Sequence, residues 1–172
     1  MKKLFLLLLF LILSVSLFAA FPKDAVSVGV SVLGAEGMEE DKSSFAIGGY
    51  CENQVLFGEM KKVNIAVTTR TDVGYVVDES EFGGININFF SGAGALFKPV
   101  GGLEIETVAG LGLFSSISNN PIFDVTAGLQ ASIGYAFGQE DSIVVRLGAN
   151  ATYGFLFNCI YYVGYLGAGV RF

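Results

Sequence analysis

From residue 25 onward the chain is written in a period of two. In AVSVGVSVLG (25–34), Val26, Val28, Val30 and Val32 fall on one face, with Ser27, Gly29 and Ser31 on the other. Alternation of β-branched and small polar residues puts successive side chains on opposite sides of an extended backbone, which predicts a strand. The pattern recurs in VNIAVTTRTDVGYVV (63–77), LEIETVAGLGLF (103–114), IFDVTAGLQASIGYAF (122–137) and IVVRLGANATYGFLF (143–157). Weaker versions occupy 45–57, 85–97 and 160–172. Turn-like stretches separate them at 35–44, 58–62, 78–84, 98–102, 115–121, 138–142 and about 158–159. Eight strands result, and no segment beyond residue 21 has a helical period. Ten strands would require splitting one of the long segments.

The two faces differ in a way that sets the architecture. One parity carries Val, Ile, Leu, Ala, Phe and Tyr. The other carries the polar residues and most of the strand glycines, among them Gly48, Gly92, Gly110, Gly128 and Gly148; Gly49 and Gly164 fall on the apolar parity. A hydrated surface has no use for so much glycine, whereas the interior of a narrow barrel needs small side chains. The polar face is therefore expected inside and the apolar face against lipid, the reverse of a soluble lipocalin-like ligand carrier. That soluble periplasmic barrel is the alternative fold reading.

Aromatic residues mark the rims. Phe57, Phe97 and Phe137 are spaced by 40 residues, each closing an even-numbered strand, and Phe172 closes the eighth. The repeat unit is one up-and-down hairpin, so these four are expected to ring one rim as a periplasmic aromatic girdle. Phe45, Tyr75, Phe123 and Tyr162 are placed to ring the other. After residue 20, each strand with its connection has about 19 residues, against the roughly 9–11 that cross a bilayer.

The start of the chain, MKKLFLLLLFLILSVSLFAA, has a basic Lys2–Lys3 head, an apolar run from Leu4 to Leu13 and a small-residue end at Ala19–Ala20. This is the layout of a secretory signal peptide, giving a leader at 1–20 and a barrel domain at 21–172. Without Lys2 and Lys3 the 10 basic residues fall to eight against 16 acidic ones, a net charge of −8. That balance argues against nucleic acid as a partner. Cys51 and Cys159 are the only cysteines and are expected as buried, unpaired thiols.

With these features in place, residues 25–172 resemble the small eight-stranded outer-membrane barrels of the OmpA, OmpX and OmpW type. In the ending YLGAGVRF, Leu166, Ala168, Val170 and Phe172 alternate as in the strand signal read by the barrel-assembly machinery. The resemblance implies an all-β, antiparallel, up-and-down transmembrane barrel in the outer membrane of a diderm bacterium. Its partners are then outer-membrane lipid and, through Phe172, the assembly machinery; a monomer without cofactor or metal is expected.

Charges on the inward parity are the candidate chemistry: Glu52, Arg70, Asp72, Glu104, Glu106, Asp124, Arg146 and Arg171. Glu104 and Glu106 at the start of the fifth strand face Arg146 and Arg171 at similar depth, which reads as a buried ionic plug of the lumen. Arg70 and Asp72 form a second cluster. A switchable gate in which Arg146 exchanges partners is the functional version of the same arrangement. Catalysis by Glu104 and Glu106 is disfavoured because adjacent arginines keep both ionised. The absence of His argues further against an enzyme. A structural barrel or a narrow, porin-like channel for small solutes is the leading functional reading. The alternative is a surface-exposed binding barrel using the acidic loops 35–44 and 78–84, whose carboxylate spacing fits no EF-type calcium loop.

Overall fold

The computed structural model describes residues 24–37, 43–57, 62–77, 84–117, 121–138 and 142–171. Eight strands follow in chain order: β1 (Asp24–Gly37), β2 (Ser43–Phe57), β3 (Val63–Val76), β4 (Ile85–Phe97), β5 (Leu103–Ile117), β6 (Ile122–Phe137), β7 (Ile143–Gly154) and β8 (Cys159–Arg171). Each pairs antiparallel with its neighbour in sequence, and β8 returns to pair with β1, closing the barrel. Closure leaves no unpaired strand edge, the condition a sheet must meet inside a membrane.

The register fixes the shape of this barrel. From Ser27 the ladder runs through Glu52, Arg70, Phe90, Gly112, Thr126, Gly154 and Cys159 and returns to β1 at Gly37, ten residues along the strand. A stagger of that size tilts the strands strongly and, with eight of them, leaves an interior only wide enough for side chains.

The alternation separates inside from outside as the sequence reading expects. Ser27, Glu52, Arg70, Asp72, Asp124 and Arg146 are buried, while Val28, Val30, Ile65, Leu111, Leu129 and Leu166 are exposed. Exposed apolar side chains around a buried polar lumen invert the arrangement of a soluble carrier and make this a barrel for lipid.

Several strand boundaries differ from the sequence pattern. β1 and β5 run on to Gly37 and Ile117, so that 35–37 and 115–117 are strand where turns are expected. In contrast β7 stops at Gly154, and 155–158 form a turn although the alternation predicts strand to 157. The Asp124 carboxylate accepts a hydrogen bond from the Leu156 N–H (2.9 Å), and the Phe155 N–H reaches the Val125 carbonyl (3.0 Å). Asn158 adopts φ +52°, a left-handed conformation that Asn tolerates better than most residues. The leader at 1–20, the loop tips at 38–42 and 78–83, and Phe172 lie outside the described residues.

Candidate functional site

The strands bring the charged residues into one network. At its centre Arg146 of β7 donates from Nη1 to Glu52 Oε1 (2.8 Å) and from Nη2 to Gln54 Oε1 (3.2 Å) and Glu104 Oε2 (3.4 Å). The same guanidinium lies 3.4 Å from Glu106 Oε2. Glu104 is gripped from below by both terminal nitrogens of Arg171 (2.9 and 3.1 Å) and by Lys98 Nζ (2.9 Å). On the other side Glu52 reaches Arg70 across 3.7 Å, and Arg70 holds Asp72 through Nε and Nη2, the shortest contact being 2.6 Å.

Glu104 and Glu106 thus meet Arg146 and Arg171, and Arg70 meets Asp72. The two expected clusters are in fact one, because Glu52 bridges them. Lys98 is a further member, supplied by the connection after β4. Four carboxylates (Glu52, Asp72, Glu104, Glu106) and four cations (Arg70, Lys98, Arg146, Arg171) make the network neutral. Remaining carboxylate lone pairs are met by neutral donors: Gln130 on Glu52 (2.9 Å), and Thr68 and Ser132 on Glu106 (2.6 and 3.3 Å). Such pairing is what makes charge tolerable at the 0–1% exposure of Glu52, Arg70, Asp72, Glu104, Glu106 and Arg146, since an unpaired buried ion costs several kcal/mol.

Two tyrosines that the sequence pattern left unassigned clamp the upper end of this network. The Arg70 guanidinium lies 4.0 Å from the Tyr50 ring centre and 3.4 Å from that of Tyr165, and the two rings are 5.2 Å apart. Glycine makes room for both. A Cβ at Gly29 or Gly167 would strike Tyr50, and one at Gly148 would strike Tyr165. Part of the glycine enrichment is therefore a set of notches for two large rings. Aromatic residues on the polar parity were the signal in the sequence; nothing local told which cation they would cover.

Beyond this layer come neutral polar side chains and then an aromatic pair beside the carboxylate of Asp124. Asn86, Asn88, Asn150, Thr126 and Thr152 are buried above the network. Near the mouth at that end Phe114 stacks on Tyr161 at 4.1 Å, with Ala35 and Cys159 beside them. Asp124, at this end rather than in the network, accepts from the Tyr161 hydroxyl (3.0 Å). Cys159 points inward and Cys51 outward, so the two thiols lie on opposite sides of the wall; Cys51 is exposed, contrary to the expectation of burial. At the rims Phe57, Phe97 and Phe137 project outward at one end and Phe45, Tyr75, Phe123 and Tyr162 at the other.

No protein-family model matches the chain, and no curated protein is similar to it in sequence. Solved structures do match its fold. Ail of Yersinia pestis, the attachment invasion locus protein, is 16% identical with a TM-score of 0.59 over 89% of this chain and 100% of that one. Neisserial surface protein A is 14% identical, TM-score 0.60, over 87% and 97%. The N-terminal β-barrel domain of Pseudomonas aeruginosa OprF is 16% identical, TM-score 0.54, over 85% and 97%. The chain has the fold of the small eight-stranded outer-membrane β-barrels.

Proposed function

We propose that the chain is a small integral protein of the outer membrane with a structural role, its lumen shut by the ionic network. The observation that carries this reading is the unbroken run of ion pairs from the half-buried Lys98 through the buried Glu104, Arg146, Glu52 and Arg70 to Asp72. A solute crossing the lumen would have to part several of these at once, at a cost of several kcal/mol for each ion left alone. Catalysis has no part in this reading, because Glu104 and Glu106 are committed to cationic and hydroxyl partners. Export by the leader at 1–20, and recognition of the strand ending in Phe172 by the assembly machinery, belong to the same proposal. So does the placing of Phe57, Phe97, Phe137 and Phe172 at the periplasmic rim.

Planar-bilayer recording tests it. The wild type is expected to pass no steady ionic current, and Arg146→Ala to leak wherever a gel in cold detergent shows that it still folds. Steady wild-type conductance would replace the plug by a narrow channel in which Arg146 exchanges partners.

A binding role at the outer rim is the second reading, favoured by its concentration of acid. Glu36 accepts a hydrogen bond from the exposed Tyr162 hydroxyl (2.7 Å), and Glu39, Glu40, Asp41, Asp78, Glu79 and Glu81 follow in the adjoining loop sequences. Ail has been solved with a heparin analogue, sucrose octasulfate. An acidic rim repels such a polyanion, so a basic partner is the kind that fits here. Deleting 38–42 abolishes binding on this reading and leaves a purely structural barrel unchanged.

A further inference from the structure

Among the described residues, the lipid-facing surface carries one cluster of adjoining polar side chains at mid-depth; the exposed Thr107 on β5 stands apart from it. On β2, β3 and β4 the outward residues Cys51, Asn53, Thr69, Thr71 and Ser91 adjoin one another: Cys51 pairs with Thr71, Asn53 with Thr69, and Thr69 with Ser91. Cys51 is exposed and the other four are half-buried. Thr69 and Ser91 share a hydrogen bond of 3.1 Å between their hydroxyls. Depth makes this unusual. Cys51 lies midway between Phe45 and Phe57 at the ends of β2, Thr69 midway between Val63 and Tyr75, and Ser91 midway between Ile85 and Phe97. The patch thus sits at the centre of the hydrocarbon, furthest from water.

Elsewhere at that depth the wall is apolar: Val28 and Val30 on β1, Leu129 on β6, Leu147 on β7 and Leu166 on β8 are all exposed. Acyl chains offer no donor or acceptor to an amide or hydroxyl. A protein surface does, and polar side chains with small neighbours are what membrane-embedded protein contacts use. Gly49, Ala93 and Ala109 flank the patch and let another backbone come close.

We propose that this face is where a second copy of the chain docks. A two-fold axis along the membrane normal keeps every residue at its own depth. Placed at β3, it sets Thr69 and Thr71 against their own counterparts and Cys51 of one copy beside Ser91 of the other. Hydroxyls both donate and accept, so such a surface is complementary to itself. The dimer replaces the monomer expected from the sequence. It rests on membrane residence, which heat-modifiability on a cold-detergent gel checks separately.

Oxidative cross-linking in native membranes tests the interface. Thr69→Cys in a Cys51→Ser background is expected to give a disulfide adduct of twice the chain mass. Its yield should exceed by at least tenfold that of Leu147→Cys, at the same depth on the opposite wall. Should Thr69→Cys fail to fold, the wild type serves. The two Cys51 thiols then lie about two strand spacings, roughly 10 Å, apart along the interface, within reach of a bis-maleimide of about 15 Å. Equal yields at the two walls, no adduct from folded protein, or an adduct of any other mass overturns the proposal. An adduct of another mass would assign the face to a different membrane protein.

Discussion

Two walls of this barrel share a depth, an interior and a hydrogen-bond ladder, yet face their surroundings differently. Inside, β2–β3 and β7–β8 contribute to the same ionic network: Glu52, Arg70 and Asp72 from one wall, Arg146 and Arg171 from the other. Outside, the first wall carries Cys51, Asn53, Thr69 and Thr71, the second Leu147, Ala149, Ala151, Leu166 and Ala168. A strand with a period of two writes two independent messages, one for each face. The inward message holds the barrel together, and the outward one chooses its neighbours.

The comparison breaks most visibly through the inward message. Arg146→Ala leaves Glu52 and Glu104 without their shared cation and is expected to cost about 3–5 kcal/mol. Urea unfolding in lipid vesicles reads this, and a shift under 1 kcal/mol would show that the two walls are not joined through Arg146. One residue along, Leu147→Arg puts a charge into lipid at mid-depth and is expected to cost about 2–4 kcal/mol. It should leave self-association intact, whereas Thr69→Arg should abolish it. Asp124→Asn weakens the grip on the Leu156 N–H and costs about 1–2 kcal/mol. Hydrogen exchange at 155–158 is expected to rise while the ionic layer stays protected. Smallest is Thr69→Val, which removes the hydroxyl pair with Ser91 and costs about 0.6 kcal/mol in the membrane. Its signature is a fall in cross-linked dimer from the wild-type Cys51, with the unfolding midpoint nearly unchanged.

How far the sequence anticipates all this depends on how local each feature is. The strands, their inward parity and the sense of the barrel are legible because Val26, Val28, Val30 and Val32 against Ser27, Gly29 and Ser31 need only their own neighbours for the pattern. The pairing of Glu104 with Arg171 follows from strand order and approximate depth. Glu52 as the bridge does not, because its contact with Arg146 joins residues 94 apart in sequence and depends on the ten-residue stagger. The turn at 155–158 is hidden for a related reason. TYGFLF alternates as a strand should, and what folds it back is the carboxylate of Asp124 on another strand. Thr69 and Ser91 were visible as residues, but their standing at mid-bilayer needed both strand ends to be known.

The bidentate grip of Arg171 on Glu104 has a consequence for how such a chain is made. Until β8 is in position, Glu104 lacks that partner and the half-built lumen is one positive charge short. Closing the wall between β8 and β1 and neutralising the interior are then the same event. A barrel stalled at seven strands carries one net negative charge on the network of Glu52, Asp72, Glu104 and Glu106, and is marked as unfinished by its own electrostatics.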